Sequence, residues 1–222
     1  MTFHAPFSRV ITRPFGGVPS SAWWLSGGIA AANCIGAYQA KGAASKEASQ
    51  VNLANSGTYD LAEVGTVTFD TSTGWQGGTG KYFTTDITAV AGEWSFIVRF
   101  TNASSNLGIP LGCSKADQRW YTVPNYVSAS ARVYIKSSET LISGAFPNGI
   151  ICVSGLKAYE DGSFVKNLGG SSVTTEKLFI LCANSGDGPD LPFGGQVQAI
   201  AIYNTALTVT QVGLLTTAMA AL

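Results

Sequence analysis

The chain has 222 residues, of which 45% are hydrophobic, 12% are charged and 26 are glycine. Lysine and arginine total 13, as do aspartate and glutamate, so the formal net charge is zero. A neutral chain lacks the electrostatic field with which proteins bind a nucleic-acid backbone or an anionic membrane surface, so we expect neither partner. Apolar runs are shorter than the roughly 20 residues of a spanning helix, and no signal peptide is recognisable. We expect one soluble domain.

The rarity of histidine and cysteine restricts the chemistry. The single histidine, His4, lies too near the start of the chain for the supporting contacts that a catalytic histidine needs. Cys34, Cys113, Cys152 and Cys182 are far apart and form no CxxC pair, which argues against structural zinc. The last two lie in apolar runs typical of buried thiols, and a disulfide between them requires neighbouring strands. We expect no cofactor.

Residues 1–30 contain prolines and large aromatic residues without helical or strand periodicity, which is typical of an extended arm. Such a segment is too apolar for a solvated tail, so it either straps its own domain or docks on another subunit. We predict that it docks, and we assign residues 31–222 to the globular domain. The candidate docking residues are Phe3, Phe7, Phe15, Trp23 and Trp24.

Short predicted strands dominate the chain after a helical turn that begins near Ser45. Trp94, Phe96, Val98 and Phe100 alternate with other residues, so they share one face of a strand and are predicted to be core. Clusters of Gly, Asn, Asp and Ser separate the strands. The predicted strand segments are TVTFD, KYFTT, WSFIVRFT, RVYIK, IICVSG, KAYEDGSFVKNL, KLFILCA and QVQAIAIY.

The C-terminal part of the chain contains a hairpin signal and a helix signal. Asp161-Gly162 between two β-favouring runs predicts a tight hairpin turn. Near the end, Thr208 and Gln211 are spaced for a capping box at the start of a helix. Because no helices lie between the strands, two packed antiparallel sheets are predicted rather than βαβ units. The apolar stripe of the helix, expected to lie on the sheets, is Val212, Leu215, Met219 and Leu222.

Turn and packing motifs of the C-terminal half suggest a family. They are Tyr159, Asp161 and Gly162 in a Tyr-x-Asp-Gly hairpin, Phe193-Gly194-Gly195 before a strand that ends at Tyr203-Asn204, and Ala206-Leu207 before the capped helix. With these motifs, residues 60 to 215 resemble the laminin-G-like jelly-roll branch of the concanavalin A-like lectin and glucanase superfamily. The resemblance implies an all-β, two-sheet antiparallel jelly-roll sandwich. Motifs of this kind indicate fold far more than activity.

The same resemblance implies a place of action. Domains of this kind recur in phage tails and on capsid surfaces, and the stretch AYQAKGAASKEASQVNLANSGTYD is similar to the phage-associated versions. The resemblance therefore implies a non-enzymatic virion surface component, either a capsid decoration or a tail-associated protein, made in the host cytoplasm. Its partners would be other virion proteins and further copies of itself, with the N-terminal arm as anchor. A reducing cytoplasm agrees with cysteines that need not pair.

Glycan binding is the alternative function. A bound sugar needs an aromatic ring for its C–H face and polar groups nearby, and the stretch QRWYTVPNYVS supplies both, with Gln118 and Arg119 among the polar groups. Pro124 predicts a loop or an edge strand here. Alternating aromatic residues are more often core, and we favour packing for Trp120. The candidate carbohydrate-binding residues are Trp120, Tyr121, Asn125 and Tyr126.

A glycoside hydrolase is a further alternative, and we do not expect it. Catalytic members of the superfamily use a Glu-x-Asp-x-x-Glu run, because one carboxylate attacks the sugar while another donates a proton, and this chain has none. Asn184, Asp187 and Asp190 offer oxygen ligands of the kind that Ca²⁺ takes. Two carboxylates are few for a site of roughly six to eight oxygens, so turn formation explains these residues better. We predict no metal site.

Overall fold

The computed structural model of the protein describes residues 22–104, 107–126 and 130–222. It confirms the all-β prediction, because two sheets with almost entirely antiparallel pairing pack as a sandwich and one longer helix lies at the C-terminal end. No helix within these ranges is long and apolar enough to cross a membrane. The predicted docking residues Phe3, Phe7 and Phe15 lie outside the described residues.

Most elements are short, as the frequent turn residues predict. In chain order the strands are β1 (Cys34–Gln39), β2 (Ala62–Val64), β3 (Thr68–Asp70), β4 (Gly74–Gln76), β5 (Tyr82–Thr84), β6 (Val90–Ala91), β7 (Ser95–Thr101), β8 (Leu111–Cys113), β9 (Trp120–Tyr126), β10 (Ser130–Ile135), β11 (Ser138–Gly144), β12 (Gly149–Ser154), β13 (Lys157–Glu160), β14 (Ser163–Asn167), β15 (Ser172–Val173), β16 (Phe179–Ile180), β17 (Ala183–Asn184), β18 (Pro189–Asp190) and β19 (Gln196–Tyr203). The α-helices are α1 (Lys46–Gln50) and α2 (Val209–Ala220), and two 3-10 turns, Trp23–Leu25 and Ala31–Asn33, precede β1.

Each layer of the sandwich is one sheet. The first sheet has the order β14-β13-β12-β7-β19-β4-β3, and β1 pairs with the part of β19 that β4 leaves free. The second sheet has the order β11-β10-β9-β8-β16-β5-β2, with β17 and β18 attached beside β8. Strands β6 and β15 form a separate pair. Neighbours in the sheets are often far apart in sequence, so the fold depends on long-range pairing.

The main core lies between the two sheets. Phe96, Val98 and Phe100 of β7 are fully buried there, which confirms the face predicted from their alternation. Trp120 of the second sheet meets them, with its ring centroid 4.9 Å from that of Phe96 in an edge-to-face arrangement. Ile97 points to the opposite face of β7 and is buried as well, because α2 covers that face.

Helix α2 is fixed at both ends. Thr208 Oγ1 accepts from the backbone N–H of Gln211 at 3.2 Å, and Gln211 Oε1 accepts from the N–H of Thr208 at 2.9 Å, so the predicted capping box is confirmed. At the other end, Arg99 Nη1 donates to the carbonyls of Met219 (2.7 Å) and Leu222 (3.1 Å), and a cation is favourable at this end of a helix. The helix buries Val212, Leu215 and Met219 against the first sheet.

The predicted hairpin joins β13 to β14. Asp161 and Gly162 have φ angles of +45° and +81°, so both central turn residues are left-handed, as a tight hairpin turn requires. The carboxylate of Asp161 also accepts from the backbone N–H of Ile150 at 2.9 Å. This bond ties the turn to the neighbouring strand β12 and leaves the Asp161 carboxylate in a structural role.

The end of the predicted N-terminal arm belongs to the domain itself. Trp23 is 2% exposed, packs in the cluster beneath α2 and donates from Nε1 to Gln39 Oε1 at 3.1 Å. The docking prediction is therefore wrong for Trp23, because its own chain already buries the ring. Trp24 is half-buried, and its carbonyl accepts from the hydroxyl of Tyr203 at 2.8 Å.

All four cysteines are buried free thiols. Cys152 lies in β12 of the first sheet, whereas Cys182 lies between β16 and β17 of the second, so the disulfide left open by the sequence is not formed. Burial raises the pKa of the Cys34 and Cys182 thiols to about 12. These thiols stay protonated and behave as small core residues.

Candidate functional site

The outer face of the second sheet carries a hollow of about 270 Å³ whose walls include three tyrosines. Strands β9 and β10 pair so that Tyr121 lies directly opposite Tyr134. Their rings stack with centroids 4.7 Å apart and planes inclined by 22°. We call this hollow the tyrosine pocket, and its lining residues are Leu107, Arg119, Tyr121, Val123, Tyr126, Tyr134, Glu139 and Leu191.

Strand alternation decides which residues of β9 reach the pocket. Tyr121 and Val123 lie on the face of the sheet away from the main core, in a second small cluster where Tyr121 is 5% exposed and Val123 is buried, whereas Trp120 points into the main core and is fully buried. Trp120 therefore cannot contact a ligand on the surface, which corrects its assignment as a carbohydrate-binding residue. The preference for packing at Trp120 agrees with this position.

The pairing of β8 with β9 covers only Trp120 and Tyr121, so among the described strands the part of β9 that contains Pro124 pairs with β10 alone. Val123 pairs with Arg132 and Tyr126 pairs with Ser130, so the register shifts in between and Pro124 occupies an irregular step of the ladder. Pro124 thus lies in a strand that is paired on one side at this point, which agrees with the predicted edge strand. The irregularity re-aims the strand so that Tyr126 joins the pocket lining.

Asn125 lies in the same irregular step but does not line the pocket. Its amide Nδ2 donates to the carbonyl of Ala103 at 2.9 Å, so this side chain holds a neighbouring loop against β9. The sequence prediction that Asn125 contacts a sugar is thus replaced by a structural role, whereas Tyr121 and Tyr126 both line the pocket and their contact with a sugar stays a prediction.

Arg132 holds Tyr126 in place. Its guanidinium carbon lies 4.1 Å from the centroid of the Tyr126 ring, a cation–π distance. The same guanidinium forms a salt bridge with Glu139 on β11 and donates from Nε to Ser130 Oγ at 3.2 Å. Three partners fix this arginine, so one face of the Tyr126 ring is covered by a rigid cation.

The phenol groups of Tyr121 and Tyr134 remain protonated. Burial is the main cause that raises the pKa of Tyr134, to about 12, and the neighbouring Tyr126 adds to the increase. Burial likewise raises the pKa of Tyr121. A protonated phenol both donates and accepts hydrogen bonds, which is the property that a polar, uncharged ligand requires.

The two polar residues just before β9, Gln118 and Arg119, make different contacts. Arg119 lines the tyrosine pocket, whereas Gln118 Oε1 accepts from the N–H (2.7 Å) and hydroxyl (2.8 Å) of Thr175 outside it. Sequence reasoning did not identify Tyr134 or Glu139 as site residues. The outward position of Tyr134 could have been found, because it lies between Val133 and Ile135 in the predicted strand RVYIK and both of these are core.

The acidic loop considered for calcium is organised by its own backbone. Asn184 is 7% exposed, its Oδ1 accepts from the N–H of Gly186 at 2.9 Å, and its Nδ2 donates to the carbonyl of Lys177 at 2.9 Å. Asp190 Oδ2 accepts from Ser114 Oγ at 3.2 Å. Within the described ranges no group of three or more His, Cys, Asp and Glu side chains could hold a metal ion. These contacts are those of a turn.

A larger and shallower groove of about 620 Å³ lies between α2 and the β13–β14 hairpin. Its walls are mostly small residues such as Gly162, Gly213 and Ala220, and its carboxylate, Asp161, is bonded to the backbone of Ile150. The groove offers no aromatic ring. We therefore regard the tyrosine pocket as the candidate site on chemical grounds, although it is smaller.

Neither a protein-family model nor a curated protein matches the sequence. Solved structures match in fold. The binding domain of botulinum neurotoxin serotype D/C VPI 5993 has a TM-score of 0.53 and 14% identity, over 85% of this chain and 53% of that one. A structure of botulinum neurotoxin type C, whose cell entry depends upon interaction with two ganglioside molecules, has a TM-score of 0.53 and 13% identity, over 85% of this chain and 52% of that one.

A Trypanosoma rangeli sialidase has a TM-score of 0.52 and 12% identity, over 83% of this chain and 32% of that one. The chain thus spans about half of the neurotoxin binding domains and a third of the sialidase. Identities this low show fold alone. The chain has the two-sheet antiparallel β-sandwich that the resemblance implies.

Proposed function

We propose that the protein is a non-catalytic carbohydrate-binding module and that the tyrosine pocket receives the sugar. The observation that carries this proposal is the cluster of three tyrosines around one hollow, two of them stacked and the third held by Arg132. Aromatic rings provide faces for the C–H groups of a sugar, and their hydroxyls hydrogen-bond to sugar hydroxyls.

The size of the pocket limits what it receives. At about 270 Å³ it lies just below the range of roughly 300–1,000 Å³ that is typical of sites for drug-sized ligands. A single sugar ring is the matching unit, and the rest of a longer glycan would extend over the open sheet face. Leu141 lies on β11, where it pairs with Arg132 of β10. Its side chain is 54% exposed, so it provides apolar surface beside the pocket.

Two fold neighbours support the proposal, since one is a neurotoxin that interacts with gangliosides and another is a sialidase. A shared fold does not transfer a site, so this support counts only together with the pocket. The neighbours provide no comparable support for a role on a phage virion. That role stays a prediction, because Phe3, Phe7 and Phe15 lie outside the described residues.

Binding without hydrolysis is the simpler role for this pocket. Glycoside hydrolysis generally needs two carboxyl groups on either side of the scissile bond. Among the described residues that line the pocket, Glu139 is the single acidic one, and it is engaged by Arg132. Glu160 and Asp161, which are adjacent in sequence, lie at the hairpin of the first sheet and are engaged by Ser143 and by the backbone of Ile150.

A glycan array with the full chain tests the proposal. We expect binding to at least one glycan, and a loss of at least about tenfold in Tyr126→Ala, which corresponds to about 1.4 kcal/mol. Tyr126 is half-buried and lies beside an irregular step of β9, so its truncation should leave the fold intact, as circular dichroism would verify. Tyr59→Ala is the matched control, because Tyr59 is a 38% exposed tyrosine that does not line the pocket.

Unchanged binding in Tyr126→Ala would contradict the assignment of the pocket. An array on which the wild-type chain binds no glycan would contradict the function itself. A polysaccharide that the protein degrades would move it to the hydrolase alternative.

A further inference from the structure

Two arginines lie at the tyrosine pocket, and their surroundings differ: Arg119 lines it, whereas Arg132 lies behind two lining residues, Tyr126 and Glu139. Arg132 is saturated, because it bonds Glu139 and Ser130 and covers the Tyr126 ring. Arg119 is half-buried, and only its backbone carbonyl is engaged, accepting from the N–H of Lys136 at 2.8 Å. Across the described part of the chain, its guanidinium makes no hydrogen bond or salt bridge, although it lines the pocket.

The charges around the pocket leave Arg119 uncompensated. Glu139, the acidic residue of the lining, is paired with Arg132, which lies outside the lining. Asp190 is the next carboxylate near Tyr121, but it is not part of the lining, and its Oδ2 accepts from Ser114 Oγ at 3.2 Å. Because Arg119 is half-buried and lines the pocket, its guanidinium can bind an anion that a ligand brings.

Arg119 also lies close to the stacked phenols. Its positive charge opposes the effect of burial on the pKa of both Tyr121 and Tyr134, so the field of the guanidinium reaches both hydroxyl groups. A ligand group that binds Arg119 would therefore be within the part of the pocket that the two tyrosines form.

We infer that the sugar recognised by the tyrosine pocket carries a carboxylate and that this carboxylate binds the guanidinium of Arg119. The planar guanidinium fork matches a carboxylate through two parallel hydrogen bonds. Tyr121 and Tyr134 contribute hydroxyl groups, and Tyr126 contributes an aromatic face. Glu139 would repel the ligand if it were free, but Arg132 neutralises it. This inference rests on the proposed function and adds the chemical class of the ligand.

The test compares acidic sugars with their own methyl esters, which keep the shape and remove the charge. The probes are glucuronate, galacturonate and N-acetylneuraminate, each titrated into the full chain and followed by protein NMR. We expect at least one acid to bind about tenfold more tightly than its ester. We also expect this ratio to shrink as added salt screens the charges.

Variants of Arg119 test whether the preference for the acid over its ester comes from this residue. Arg119→Gln should abolish the preference for the acid, because it should weaken binding of the acid by much more than binding of the ester. Arg119→Lys keeps the charge without the fork, so it should give an intermediate ratio. The control is Lys166→Gln, which removes one positive charge from an exposed position on β14 of the other sheet and should leave the ratio unchanged.

Equal binding of every acid and its ester overturns the inference, as does an Arg119→Gln variant that keeps the preference for the acid. If neutral glycans on the array still bind and are lost in Tyr126→Ala, the proposed function survives that failure. If neither acidic nor neutral sugars bind, the inference and the proposed function fail together.

Discussion

The two outer faces of the sandwich are built differently. On the first sheet, small and apolar residues such as Ala199, Ala201 and Ile97 are buried beneath α2. On the second sheet, the described residues of the small buried cluster around Tyr121 and Tyr134 belong to strands and loops, and charged side chains stand at its margin. Among the described residues, a helix covers the first face, which we call the closed face, whereas the second carries the tyrosine pocket without a helix over it, and we call it the open face.

This difference separates stability from binding. Alanines under α2 let the helix approach the first sheet closely, and the buried area stabilises the fold. The open face instead covers its backbone with stacked phenol rings whose hydroxyls stay protonated. Substitutions on the closed face should therefore change the free energy of unfolding, and those on the open face should change the affinity for a sugar.

The largest expected effect is on the closed face. Leu215→Ala removes a fully buried side chain of α2 and should lower the free energy of unfolding by about 2–5 kcal/mol. Leu214→Ala is the neighbouring control, since Leu214 is 50% exposed and the change should stay within about 0.5 kcal/mol. Urea unfolding measures both, and glycan binding by either variant should match the wild type at low denaturant. Equal destabilisation by the two substitutions would contradict the closed face described here.

Local patterns in the sequence were sufficient to predict much of the first sheet and its helix. Alternation in β7, the Asp161-Gly162 turn and the Thr208 capping box each depend on a few neighbouring residues, and all three are confirmed. The segment before residue 60 was harder. Strand β1 pairs with β19 at the far end of the chain, and Trp23 is buried by the distant helix α2, so neither is visible in a local pattern.

The site was predictable only in part for the same reason. Tyr121 and Tyr126 were found because aromatic residues cluster in one stretch of sequence. Tyr134 belongs to another strand, and its place beside Tyr121 follows from the β9–β10 register. The role of Pro124 also depends on that register, because only the partner strand shows where the ladder is interrupted.

Removing one tyrosine hydroxyl from each face, by Tyr203→Phe on the closed face and Tyr134→Phe on the open face, compares stability with sugar binding directly. Tyr203→Phe deletes the donor to the Trp24 carbonyl and should lower the free energy of unfolding by about 1 kcal/mol without changing sugar binding. Tyr134→Phe keeps the stacked ring but removes a pocket hydroxyl, so it should weaken sugar binding by about 0.5–1.5 kcal/mol. Its unfolding free energy should stay within about 0.5 kcal/mol of the wild type.

Chemical unfolding and a sugar titration on each of the two variants provide the measurements. The comparison of the faces would fail if Tyr203→Phe weakened sugar binding as much as Tyr134→Phe does. It would also fail if Tyr134→Phe lowered stability more than Tyr203→Phe.

The smallest expected effect lies at the edge where the two sheets meet. Ser143 Oγ on β11 donates to Glu160 Oε1 on β13 at 2.5 Å, and burial raises the pKa of the Glu160 carboxyl despite this bond. The folded protein therefore holds this proton more tightly than the unfolded chain does. The contribution of Glu160 to stability is full below the unfolded pKa of about 4.3 and is lost as the pH rises through the folded pKa.

Glu160→Gln keeps an oxygen that accepts from Ser143 and cannot ionise, so the variant should gain stability relative to the wild type between about pH 4 and pH 7. The difference between the two proteins isolates this carboxyl from groups of opposite sign, such as Glu176, whose pKa the Lys115 ammonium lowers. Urea unfolding of both proteins at a series of pH values measures that difference. If it does not change with pH, the Glu160 carboxyl is as well solvated in the folded protein as in the unfolded chain, and the edge between the sheets is open to water like the face that carries the tyrosine pocket.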